Sequence, residues 1–216
     1  MPSLLYCITK SSVRLNESQP GVAGSAVSRI DEGNTAAFIS RAPDSKVWLQ
    51  APLRISAMEL HRVLMKLFDL GPIVPFRFPT IFADDAALAD HLREHSPKYS
   101  VQLDKFEKFV QMEARIVSVQ QAAAAVCSGR EYLQVRQRRN RALADVACAI
   151  QRAAAAADWR QRATRDGMRC FALVQRPQIT EFRVRMTKLD VPPELSVRVS
   201  GPWPVAEFLE DAKAGN

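Results

Sequence analysis

SAMELHRVLMKLFDLGPIVPFRFPT, residues 56–80, sets a helix directly against an extended segment and so decides the fold class. Ser56 is a good N-cap residue, and Glu59 three places on completes a capping box. Leu60, Val63, Leu64, Leu67 and Phe68 recur at helical spacing on one face, and Gly71-Pro72 stops the run. The prolines at 75 and 79 push the residues before them out of the helical region, so 73–76 and 77–81 run extended. Helix and strand together in so short a stretch predict an α+β chain.

The flanks repeat the pattern. Upstream, residues 4–9 read as a strand apolar on both faces, and 21–30 with 35–40 make a hairpin around Asp31-Glu32-Gly33-Asn34. Residues 42–52 contain two prolines and read as loop. Downstream, Asp84-Asp85 caps a short helix over 86–95 that ends at Ser96-Pro97. The second half opens with a strand over 106–119, from Phe106, Val110, Met112 and Ile116, and 122–126 is a short alanine-rich helix. A long helix over 131–162 carries Leu143, Val146, Ala147, Ile150, Ala153, Ala154 and Ala157 as its apolar stripe. Asp166-Gly167 is a turn and 168–175 a strand. Residues 179–189 fit strand or helix, with helix preferred on Phe182, Met186 and Leu189. Leu195, Val197 and Val199 make 194–200 the last strand. The expectation is two domains, 1–104 and 105–216, each a sheet packed against helices.

Composition narrows the function classes. The chain has 216 residues, 47% hydrophobic and 25% charged, enough to bury a core without disulfides or metal. Cys7, Cys127, Cys148 and Cys170 form no Cys-x-x-Cys pair, which leaves zinc ribbons and thioredoxin-like sites unsupported. All four read as small buried hydrophobes in a reducing compartment. The N-terminus lacks a basic region, and neither its apolar run nor 122–127 approaches a bilayer span, so a soluble cytoplasmic protein is expected.

The net charge is +7, and its excess is concentrated. Residues 130–165 hold nine arginines against Glu131, Asp145 and Asp158. Arg136, Arg138, Arg139 and Arg141 form the densest run. Such a segment serves as a solvated face, a contact for an acidic protein, or a set of phosphate ligands. Nucleic-acid modules interleave aromatics or carry a recognition signature, neither of which is present, so the 130–165 helix as a nucleic-acid module is the alternative reading.

Active-site candidates fare worse. His91-Leu92-Arg93-Glu94-His95 is a literal His-x-x-Glu-His, whose histidines share a helix face and so suit one zinc. Its helix is expected to stop at once, and no third ligand follows. His61 has no serine elbow to serve, and the eight glycines make no phosphate-binding pattern. Neither catalysis nor a cofactor is expected. Two motifs resist explanation as plain core. Pro75-Phe76-Arg77-Phe78-Pro79-Thr80 holds Arg77 between aromatics in a stiff strand, where it can stack on a ring or pair with a carboxylate. Gly201-Pro202-Trp203-Pro204 ends the last strand in a rigid turn, and its indole is a packing plug or an interface anchor.

At these residues the sequence resembles the gas vesicle protein F/L family. Leu4-Leu5-Tyr6-Cys7-Ile8 matches its first strand, and Ile73 through Phe82 match its Val-Leu-Pro-x-Arg-Phe-Gly-Thr-x-Phe motif, with Arg77, Phe78 and Thr80 in place. Tyr132-Leu133 and Cys170-Phe171-Ala172-Leu173-Val174 match further marks. Gly201-Pro202-Trp203-Pro204 opens the C-terminal signature. Pro79 stands where the family has glycine, and Val205-Ala206-Glu207 where it has Pro-Tyr-Ser. The resemblance implies a two-domain, ferredoxin-like α+β protein without catalysis or cofactor. It implies a minor component or accessory factor of gas vesicle assembly, whose partners are the small hydrophobic shell protein and other accessory proteins. The residues after the signature depart from the family, which favours a structural role for Trp203 and moves the expected contact surface to the basic helix and Arg77.

Overall fold

The computed structural model describes residues 1–15, 19–119 and 128–209. They form two compact units, Met1–Glu107 together with the segment from Pro204 onward, and Lys108–Trp203. Each is an antiparallel sheet packed against helices, the α+β class expected.

The first unit is built on β1 (Ser3–Lys10), buried along nearly its whole length. Successive side chains of a strand point to opposite faces, so burial at every position means cover on both. The hairpin of β2 (Val27–Glu32) and β3 (Thr35–Arg41) turns through Gly33 and Asn34 and pairs β3 with β1. Helix α1 (Lys46–Leu49) is a single turn inside the stretch expected to be loop. It forms because Trp48 is fully buried there, its Nε1 donating to Ser25 Oγ at 3.3 Å. Helix α2 (Leu53–Leu70) buries Val63, Leu67 and Phe68 as expected, but Ser56 is not its cap. The helix starts one turn earlier, behind Pro52, whose carbonyl already accepts the Ser56 N–H at 3.0 Å. Glu59, freed from the capping box, accepts the backbone N–H of Ala23 at 2.9 Å.

Two short strands, β4 (Ile73–Pro75) and β5 (Ile81–Phe82), both pair with β1. Helix α3 (Asp85–Phe106) opens on Asp84, whose carboxylate accepts the Ala87 N–H at 2.8 Å. It does not stop at Ser96-Pro97. Proline deletes one helical hydrogen bond, a cost of about 3 kcal/mol. Leu88, Leu92, Tyr99, Leu103 and Phe106 are buried on both sides of it, and each such side chain contributes about 1.5–3 kcal/mol. Ser96 helps, bonding Thr35 Oγ1 at 2.9 Å.

The second unit runs β6 (Phe109–Ser118), α4 (Gly129–Ala154), β7 (Asp158–Ala163), β8 (Gly167–Gln175), α5 (Ile179–Thr187) and β9 (Leu195–Trp203). Its strand order β7-β8-β6-β9 with all neighbours antiparallel is the split βαβ, ferredoxin-like arrangement. The expected alanine-rich helix over 122–126 lies outside the described residues. Helix α4 ends well before residue 162. Ala155 turns left-handed at φ 46°, and the next residues pair with β8 as an edge strand. Local alanine propensity favours continuing the helix, and the open edge of β8 outweighs it. Cys148 is exposed on α4, contrary to the expectation that every cysteine is buried. Cys7 and Cys170 are buried, and Cys127 lies outside the described residues.

Candidate functional site

His91 and His95 do share a face of α3, but their rings stack on each other at 4.4 Å. His91 Nε2 lies 2.9 Å from Tyr99 Oη, and His95 Nδ1 lies 3.0 Å from the His91 carbonyl. Phe76 and Phe82 close an aromatic cluster around His91. Burial first, then the neighbouring His95, lowers the His91 pKa, and burial pushes Tyr99 up to about 12. The Glu94 side chain is 78% exposed, with Oε2 3.9 Å from His95 Nδ1. Among the described residues no group of three or more His, Cys, Asp or Glu is placed to hold a metal. This is packing chemistry. His61 is exposed on α2.

Arg77 is exposed, in a turn that Thr80 closes by donating to its carbonyl at 2.6 Å. The Phe78–Pro79 peptide is cis, and the Thr80 carbonyl accepts from Leu5 N at 2.9 Å. No carboxylate pairs with Arg77 among the described residues. The turn thus anchors to β1 through its backbone and presents a guanidinium.

Gly201-Pro202-Trp203 is not a turn after the last strand. It belongs to β9, as a bulge between the pairs Ser200↔Glu113 and Trp203↔Gln111. A bulge needs an extra residue with unusual backbone, and Gly201 supplies φ +110°. A side chain there would meet the Gln111 carbonyl oxygen at 2.9 Å. Pro202 follows through a cis peptide, and Trp203 is half-buried with Nε1 donating to Ser200 Oγ at 3.2 Å. Pro204 begins the return of the chain to the first unit.

The basic helix divides into two halves. From Leu143 on, Val146, Ala147, Ile150 and Ala154 are buried. From Ser128 to Arg141 every residue is exposed, including Arg136, Arg138, Arg139 and Arg141 and the apolar Tyr132, Leu133 and Val135. Ser128 caps this arm, its Oγ accepting the Glu131 N–H at 3.3 Å. The helix ends at Ala154, so Arg160, Arg162 and Arg165 are not on it. They lie on and just after β7.

Sheet register adds a feature that alternation alone does not show. Arg162, Arg169, Arg115 and Arg198 stand directly opposite one another across β7, β8, β6 and β9. Like charges in such positions repel. Glu113 offsets Arg169, and Asp166 pairs with Arg115 at 3.1 Å. Its own backbone N–H, then Thr164, then Arg115 hold the Asp166 carboxyl below the usual carboxylate range. Around the end of this row runs a groove of two hollows, about 930 and 560 Å³, with Arg139 and Arg165 lining both. Arg139 Nη2 donates to the Arg165 carbonyl at 3.1 Å, which fixes the arm to the β7–β8 turn.

Two antiparallel sheets, each backed by helices, define a two-unit α+β protein with an arginine-rich open surface on its second unit. The chain belongs to the gas vesicle synthesis protein GvpL/GvpF family, whose model matches residues 3–131 and 128–210. Its fold is similar to the crystal structure of the gas vesicle protein GvpF from Anabaena sp. PCC7120, at TM-score 0.76 and 13% identity over 98% of this chain and 97% of that one. GvpF from Microcystis aeruginosa is similar at TM-score 0.73 and 13% identity, over 97% of this chain and 99% of that one. A direct comparison with curated protein sequences gives no match. Among the described residues no helix is long and apolar enough to cross a membrane.

Proposed function

We propose that this protein helps to build gas vesicles as a non-catalytic partner, through contacts with the small hydrophobic shell protein and other gas vesicle accessory proteins in the cytoplasm. The observation that carries this reading is the family match, which spans both units. Geometry supports it: the first half of α4 presents Tyr132, Leu133 and Val135, each more than half exposed, beside four arginines. Arg77 offers a second exposed contact point on a backbone-anchored turn, while Trp203 serves the β9 bulge. Neither surface needs a cofactor.

Co-expression of the tagged chain with the shell protein is the test, and co-purification of the two is the expected result. A deletion strain with no second family copy that still makes normal buoyant vesicles would sink the proposal.

A further inference from the structure

We infer that the arginine-lined groove of the second unit binds an acidic, amphipathic segment of a partner protein, an inference that rests on the assembly role proposed above. Arg115, Arg136, Arg139, Arg165 and Arg198 line the two hollows, and among the described lining residues only Asp166 brings a carboxylate. A fold gains nothing from facing Arg198 against Arg115 and Arg115 against Arg169, since opposed like charges destabilise a sheet. The unit offsets part of this itself. Glu113 and Asp166 neutralise two members of the row, and no carboxylate pairs with Arg198 or Arg139 among the described residues.

The chemistry of the occupant follows from what the surface already holds. Its counter-ions are carboxylates gripped by guanidinium groups, the geometry that arginine favours. Tyr132 and Val135, 53% and 58% exposed, line the smaller hollow, and Val117 lines the larger, so apolar side chains are accommodated beside the charges. Single-stranded nucleic acid is held by stacking on several aromatics, and among the described lining residues Tyr132 is the one aromatic side chain. The arm itself points the same way. An isolated helix of this length is marginal in water, and a partner seated in the groove would cover its unpacked half.

Fluorescence anisotropy on the full chain tests this, with a labelled peptide of Ala-Glu-Glu-Leu repeats, its Gln-for-Glu counterpart, and labelled oligothymidine. The Glu peptide is expected to bind about tenfold or more tighter than the Gln peptide. Raising salt to about 0.3 M is expected to weaken it. Arg139→Glu with Arg198→Glu is expected to weaken binding by about tenfold, and Arg198→Gln by less, while Arg54→Glu on α2 leaves it within about twofold. Equal binding of the two peptides, indifference to the groove substitutions in a chain that melts normally, or tighter binding of oligothymidine each overturns the inference. Vesicle formation separates the two proposals. A double variant that has lost the Glu peptide yet supports normal vesicles overturns the groove and leaves the assembly role standing. A dispensable chain that still binds the peptide through these arginines overturns the assembly role alone.

Discussion

Arg169 grips Glu113 through two parallel hydrogen bonds, Nε to Oε1 at 2.7 Å and Nη2 to Oε2 at 2.8 Å. The pair neutralises the middle of the arginine row, and the Glu113 side chain is only 14% exposed. Glu113→Gln removes the carboxylate that Arg169 grips between Arg162 and Arg115. The expected loss is about 1–3 kcal/mol of unfolding free energy, read from the urea midpoint. An unchanged midpoint would show that solvent already screens the row.

Gly201 sits at φ +110° with the Gln111 carbonyl oxygen 2.9 Å from where a Cβ would stand. Gly201→Ala therefore combines backbone strain with a clash against a neighbouring strand, and about 2 kcal/mol or more should be lost. Gly129 is the internal comparison: it lies at the first position of α4 with open space around it. Gly129→Ala is expected to be neutral or slightly stabilising. Equal melting temperatures for the two variants would contradict the bulge.

Ser56 separates a cap from a helix interior. A capping serine replaced by alanine costs about 1 kcal/mol. Here the Ser56 hydroxyl is buried and finds no hydrogen-bond partner among the described residues. Ser56→Ala removes an unsatisfied group and is expected to leave stability unchanged or raise it. Destabilisation by the full capping amount would restore the capping box.

His91 makes stability depend on pH. Its folded-state pKa is lowered, first by burial and then by His95, so the unfolded chain takes up the proton more readily. Stability is therefore complete above the unfolded value, about 6.5, and declines as pH falls below it. Glu94, His95 and Tyr99 on α3 surround the ring, and Phe76 and Phe82 from other segments bring no charge. His91→Gln is expected to flatten the melting-temperature profile between about pH 7 and pH 5. Parallel profiles for parent and variant would rule this out.

Thiol chemistry checks the orientation of α4. Burial raises the Cys7 thiol pKa, and burial, then Glu113, pushes Cys170 up to about 12, while Cys148 is exposed. Iodoacetamide at neutral pH should modify Cys148 and spare Cys7 and Cys170 in the native chain, as read by peptide mass. Comparable labelling of all three would mean that the sheets open readily.

Elements whose signals are short-range were legible in the sequence. The turn at Gly33-Asn34, the Asp84 cap, the stripe of Val63, Leu67 and Phe68, and the stripe of Leu143, Val146, Ala147 and Ile150 each rest on residues a few places apart. The α+β class followed from them, and so did the family marks. The exposed arginines of α4 were legible too, because nothing apolar shares their half of the helix except Tyr132, Leu133 and Val135.

Only the tertiary structure decided the rest, because in each case a distant partner outweighs a local preference. Pro97 ends a helix unless a buried face on either side holds it, and that face exists only once α3 meets the first sheet. Residues 158–163 continue an alanine-rich helix until the edge of β8 offers them hydrogen bonds. Gly201-Pro202 reads as a strand end until Trp203 pairs with Gln111 and turns it into a bulge. The arginine row is the clearest instance. Alternation marks Arg115 and Arg198 as outward-facing, but whether they face each other depends on register, which pairing sets between residues more than eighty places apart.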